Sequence, residues 1–105
     1  MTALAAMRVE YHPDTVSELN DAVSYYDEQL DGLGDGFRTE IYETIDRIVD
    51  DPHLHRVIQF NIRRCFVHRF PFSILYRIVN DDLIRILVIR HHRWHPEFGI
   101  QRGET

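Results

Sequence analysis

The chain has 105 residues, 44% apolar and 28% charged, which fits one globular domain able to bury a core without staples. No apolar run approaches the ~18 residues that a membrane span needs, and with Cys65 as the only cysteine no internal disulfide can form, so a reducing, cytoplasmic setting is expected. The net charge of −5 hides an asymmetry: residues 1–55 carry three arginines against thirteen carboxylates, whereas residues 56–105 carry nine against four, so an acidic protein can still present a basic face.

The opening MTALAAM has no basic residue and no long apolar core, so it does not read as a secretory leader, and residues 1–6 are expected to be a loose extension. In the next stretch, Val9 and Tyr11 alternate with Arg8 and Glu10, the pattern of a short strand with one buried face. After Pro13, Thr15-x-x-Glu18 suggests a capping box. Val16, Leu19, Val23, Tyr26 and Leu30 then recur at helical spacing, the stripe of an amphipathic helix of about four turns. The run DGLGDG (31–36) breaks it. Phe37, Ile41, Ile45, Ile48 and Val49 mark a second helix that should end at Asp51-Pro52, since proline disfavours helix at the residue before it. Two helices joined by so short a turn form an antiparallel hairpin.

From residue 57 the apolar period shortens. NIRRCFVHRF, FSILYRIV and LIRILVIRHH read as three strands, broken at Phe70-Pro71 and at the turn Val79-Asn80-Asp81-Asp82. Ile74, Tyr76 and Ile78 share one face of their strand, and Ile84, Ile86 and Val88 are expected to share a face of theirs. The predicted order is β-α-α-β-β-β, an α+β fold with the helical hairpin packed on a mainly antiparallel four-stranded sheet. Residues 7–98 would form the single domain and residues 99–105 a C-terminal tail.

The last strand runs into RHHRWHP (90–96). Three histidines there raise metal binding, but His91 and His92 are neighbours on a strand and point to opposite faces, and nothing supplies the converging ligands a metal site needs, so no metal and no cofactor is expected. Histidine next to arginine also suits acid–base chemistry on RNA, with His91, His92, Arg90 and Arg93 as candidates and His68 nearby. A third reading is binding. All twelve basic residues are arginine, which captures carboxylate or phosphate bidentately, although a coding bias towards arginine explains the missing lysines equally well. With Phe66, Phe70, Phe72 and Trp94 interleaved, these arginines could receive an acidic, partly apolar peptide or nucleic-acid phosphate. Phe66 and Tyr76 read better as core, Trp94 as open. Cys65 reads as a small buried residue and the acidic helix faces as solvated.

In order along the chain, VEYHPDTVSELNDAVSYYDEQLDGLGDGF, IRRCFVHRFPFSILYRI and VIRHHRWHP resemble the first strand, the A-x-x-Y helix with its GLG-x-x-F turn, the R-R…F-P-[FY]-x-[IL]-x-Y-R hairpin and the H-x-R-x-x-P finish of the RelE/ParE superfamily of toxins from type II toxin–antitoxin modules. The resemblance spans about Arg8 to Pro96. It implies a toxin that arrests growth when free and is neutralised by a cognate antitoxin, whose acidic, partly disordered C-terminal arm would meet Arg63, Arg64, Arg69 and Arg77; operator DNA would be reached only through the antitoxin. The superfamily divides into ribosome-dependent, metal-independent mRNA endonucleases and ParE-like poisons of DNA gyrase. No tyrosine follows Tyr76, and Phe98 has no hydroxyl to move a proton, so the chain looks closer to the ParE-like branch. The implied action is binding to gyrase through Arg90, His91, Arg93 and Trp94. The alternatives are an endonuclease using His91, His92, Arg90 and Arg93, and an inactive relative that only binds its antitoxin and co-regulates the operon.

Overall fold

A computed structural model describes residues 7–104, so the extension expected over residues 1–6 lies outside the described residues. Strand β1 (Arg8–Tyr11) leads into α1 (Pro13–Gln29) and α2 (Leu33–Asp50). Four strands follow: β2 (Arg56–Gln59), β3 (Ile62–Phe66), β4 (Phe72–Asn80) and β5 (Leu83–His91), and a 3-10 helix (Ile100–Glu104) ends the described chain. The sheet order is β1-β5-β4-β3-β2, with β1 parallel to β5 and every other pair antiparallel. The α+β layer architecture is as expected, with one strand more than the four predicted. Among the described residues the additional β2 pairs only with β3, and none of its four residues is buried, so it carries little hydrophobic alternation to betray it.

The helices cover one face of the sheet. Phe37, Ile41 and Ile48 of α2 are fully buried against Ile74, Tyr76, Ile84 and Ile86 of the two central strands. On α1 Leu19, Val23 and Tyr26 of the expected stripe pack on the core, joined by buried Thr15 and Ala22, while Val16 and Leu30 are 56% and 64% exposed. The hairpin crosses tightly at Gly34, where an added Cβ would stand 2.4 Å from the Val23 carbonyl oxygen, and the Gly34 amide donates to Asp27 Oδ1 at 2.7 Å.

The proposed capping box does not form. His12 caps α1 instead: its Nδ1 accepts from the Asp14 amide at 3.2 Å, and the Thr15 hydroxyl donates back to the His12 carbonyl at 2.7 Å. Glu18, thereby released from the helix terminus, reaches across to β5, where its Oε1 accepts from the Ile89 amide at 3.1 Å. Since β1 pairs with β5 only as far as Ile86, Ile89 lies on a stretch of bare edge, and the carboxylate satisfies a donor that no strand reaches.

Tyr76 illustrates how the core fixes a loop. Its ring is fully buried, and its hydroxyl donates to the Pro52 carbonyl in the connection between α2 and β2. Burial pushes its pKa well above the usual tyrosine value, against the lowering pull of Arg63, so it stays a donor. Tyr76→Phe keeps the ring but strands the Pro52 carbonyl, which is expected to cost about 1–2 kcal/mol by urea unfolding, with an unchanged m-value.

Candidate functional site

The register of β4 with β5 decides which residues of RHHRWHP act together. Leu75 pairs with Val88 and Tyr76 with Ile86, leaving Leu87 as an extra residue. This bulge shifts the alternation of β5 by one position. Ile84 and Ile86 face the helices, as expected, but Val88 does not: with Leu87 it joins Ile62, Leu75 and Ile100 in a small core on the opposite face. Beyond the bulge Ile89 pairs with Ile74 and returns to the helix side, Arg90 pairs with Ser73, and His91 pairs with Phe72. The bulge thus turns Arg90 and His92 to the face away from the helices, where a regular strand would have buried them beneath α1.

On that face they line a cleft of about 260 Å3 with Arg64 and Phe66 of β3, Ser73, Trp94 and Pro96. The Arg64 guanidinium lies over the Phe66 ring, 4.6 Å from its centroid, and its buried Nε has no hydrogen-bond partner. Phe66 meets the His92 ring edge to face at 5.5 Å. His92 Nε2 lies 2.9 Å from the hydroxyl of Ser73, which is itself buried. Arg90 Nη1 donates to the Pro96 carbonyl at 2.6 Å. Burial, and then the nearby Arg64, lower the Arg90 pKa, and only Glu97 opposes them. Among the described residues no carboxylate lines the cleft, so two guanidiniums and an imidazole share a concavity without an opposite charge from them.

His91 is directed to the helix side, 5.0 Å from Phe72 and 6.2 Å from Trp94, so the two adjacent histidines do occupy opposite faces. Its Nδ1 accepts from the Arg93 amide at 2.9 Å, and His95 Nδ1 accepts from the Glu97 amide at 3.0 Å. Each imidazole closes a tight turn as an Asn side chain would, which places the proton of the neutral ring on Nε2. Burial, then Arg93 and His92, lower the His91 pKa, so it is neutral near pH 7.

The candidate sets are therefore redistributed. Of the endonuclease set, Arg90 and His92 share the cleft, His91 lies behind the sheet and Arg93 is exposed on the turn. Of the target-binding set, Arg90 and Trp94 line the cleft, while His91 shares only Trp94's other side. The four antitoxin candidates also divide. Arg64 and Arg77 project from the face away from the helices, opposite Leu75 and Ile62 respectively. Arg63 is on the helix side, holding the His53 and His55 carbonyls at 3.0 and 2.7 Å. Arg69 sits on the loop between β3 and β4, 3.8 Å from Glu40 of α2.

Besides Pro96, two strand residues of the cleft escaped the sequence reading. Phe66, read as core, is 52% exposed; its spacing of two from Arg64 was the signal, since both must share a face of β3. Ser73, the one polar residue in the apolar run that opens β4, was the other. Cys65 is buried as expected, and burial raises its thiol pKa against the lowering effect of Arg47. Among the described residues no group of three His, Cys, Asp or Glu side chains could hold a metal, and no helix is long and apolar enough to cross a membrane.

Comparison with known proteins agrees with this architecture. The sequence profile described as "ParE toxin of type II toxin-antitoxin system, parDE" matches residues 9–95. Among solved structures, a chain of the "Chromosomal ParDE TA system from P. aeruginosa" superposes with a TM-score of 0.72 at 16% identity, over 84% of this chain and 98% of that one. No curated protein sequence matches the chain significantly.

Proposed function

This chain belongs to the ParE toxin family of type II toxin–antitoxin systems, a family that implies an antitoxin partner, and from that premise we propose that it is a growth-inhibiting toxin of the cytoplasm that acts by binding DNA gyrase and is neutralised by its antitoxin. The observation that carries this reading is the cleft between β3 and β5. It presents the attributes of a protein-binding surface, with a half-exposed phenylalanine, a tryptophan and two arginines grouped in one open concavity. The antitoxin arm, acidic on this reading, finds its charge complement on the same face through Arg64 and Arg77. Operator DNA is contacted through the antitoxin.

The endonuclease reading retains one observation in its favour. His92 is fixed by Ser73 and flanked by Arg64 and Arg90, a base beside two groups able to hold a phosphate. Against it, His91 and Arg93 lie outside the cleft, so His92 has no second acid–base group opposite it.

One paired measurement separates the readings. Purified chain is added to gyrase supercoiling reactions and, separately, to translating ribosomes with labelled message. Inhibited supercoiling with intact message is expected; cut message with normal supercoiling would establish the endonuclease. Absence of growth arrest on expression without antitoxin would leave only the inactive relative.

A further inference from the structure

Trp94 lines two concavities, and the second lies on the helix side of the sheet, between α1 and the end of β5, with a volume of about 290 Å3. Its walls are rings in continuous contact. Tyr25 and Tyr26 of α1 meet edge to face at 5.3 Å, Tyr26 lies 6.4 Å from Phe72, and Phe72 lies 6.2 Å from Trp94. His91 completes the wall, and the lowering of its pKa by burial, Arg93 and His92 disfavours a positive charge there. Tyr25 is 58% and Trp94 39% exposed, a large aromatic area left in water on a small domain.

The charge around this groove is opposite to that of the cleft. Among the described residues no arginine lines it, and α1 contributes two carboxylates, Glu18 and Asp21. Glu18 is already engaged by the Ile89 amide and Arg102, whereas Asp21 is exposed and has no ion-pair partner among the described residues. Aromatic faces attract cations through their quadrupole, guanidinium stacks on them as well, and a carboxylate at the rim adds to the attraction.

We propose that this groove accepts a cationic side chain, an arginine or lysine presented by a peptide segment of a partner protein, held against the Tyr25–Tyr26–Phe72–Trp94 rings with its charge towards Asp21. The proposal does not depend on which cellular target the toxin engages. It gives the strand exit two recognition sides, basic in front and anionic-aromatic behind, with Trp94 as the wall between them. A partner segment that crosses this wall must carry charges of opposite sign on its two halves.

The test uses the full chain and its only tryptophan. N-acetyl-arginine amide is titrated while Trp94 fluorescence and the NMR ring signals of Tyr25 and His91 are followed, with N-acetyl-citrulline amide as the uncharged isostere. Saturable shifts at all three rings are expected with the arginine probe, with roughly fivefold weaker binding for citrulline. Tyr25→Ala and Asp21→Asn, both at exposed positions, should each weaken the arginine probe roughly threefold or more. Equal binding of citrulline, a Trp94 response without Tyr25, undiminished affinity in both variants, or no saturation would each overturn the proposal.

Discussion

Replacing Arg102 by alanine is expected to cost about 3–5 kcal/mol, because it leaves the carboxylate of Glu18 buried and unpaired. The two side chains are 10% and 11% exposed, and Arg102 Nη1 lies 2.9 Å from Glu18 Oε2. The same Nη1 donates to the Leu87 carbonyl at 3.0 Å, while Glu18 Oε1 accepts from the Ile89 amide. The pair therefore satisfies one acceptor and one donor of the β5 edge beyond the end of β1. It also fastens the 3-10 helix, whose Ile100 covers Leu75, Leu87 and Val88. Thermal unfolding should fall by at least ~12 °C for a domain of this size.

The pH dependence of that loss has a definite sign. Burial raises the Glu18 pKa above its ordinary 4.5, against the lowering pull of the Ile89 amide and Arg102. A carboxyl whose folded pKa is raised contributes stability that is fully present below 4.5 and is lost as pH rises through the folded value. Without Arg102 the folded value rises further, so the Arg102→Ala penalty should be small at pH 4 and full at pH 7. Adding Glu18→Gln should restore part of the stability at pH 7, since an amide can still accept from Ile89 without burying a charge. A penalty independent of pH, and not relieved by Glu18→Gln, would assign the loss to packing of the tail instead.

The Glu18–Arg102 pair also shows where sequence reading stops. Periodicity recovered both helices, the hairpin glycines and the three long strands, because each is encoded within one segment. Glu18 looked like half of a capping box because Thr15 stands three residues before it. Its real partners, Ile89 and Arg102, lie 71 and 84 positions further on, and only the sheet topology brings them together. Residues 99–105 read as a tail for the same reason. The anchoring of the 3-10 helix (Ile100–Glu104) depends on Gly99, at φ +80°, lying so close to Val88 that an added Cβ would stand 2.3 Å from its side chain, and Val88 faces that way only because of the bulge.

The bulge has the greatest consequence for the candidate site. LIRILVIRHH is compatible with unbroken alternation, and nothing in its residue types marks Leu87 as supernumerary. A shift of one position carries every later residue to the other face. The sequence could therefore place His92 with Arg90 and His91 on the other side, but could not say which face of the sheet each pair would take, nor that Arg64 and Phe66 would complete the same cleft. The arginines assigned in sequence to two different partners, Arg64 and Arg90, thus prove to be neighbours.

If the cleft meets an acidic surface of gyrase, as proposed, reversing both of these charges, in Arg64→Glu/Arg90→Glu, is expected to raise the toxin concentration needed to inhibit gyrase supercoiling by roughly 100-fold or more, because like charges at an interface cost several kcal/mol. The size follows from the environment. Arg64 is held over Phe66 and Arg90 is partly desolvated, so neither charge is free to swing away from an incoming carboxylate or phosphate. Arg8→Glu, exposed on the edge strand β1 at the opposite end of β5 from Arg90, makes a charge change of the same kind outside the cleft and should leave inhibition within roughly twofold, as expected for a charge screened by solvent. Both variants must retain the far-UV spectrum and cooperative unfolding of the parent. If the double variant inhibits gyrase at the parental concentration, the cleft is not the surface that meets the target. If Arg8→Glu impairs inhibition equally, net charge rather than the geometry of the cleft governs the interaction. Raising the salt should weaken the parent progressively but partly restore the double variant, because screening relieves the repulsion that the charge reversal introduces.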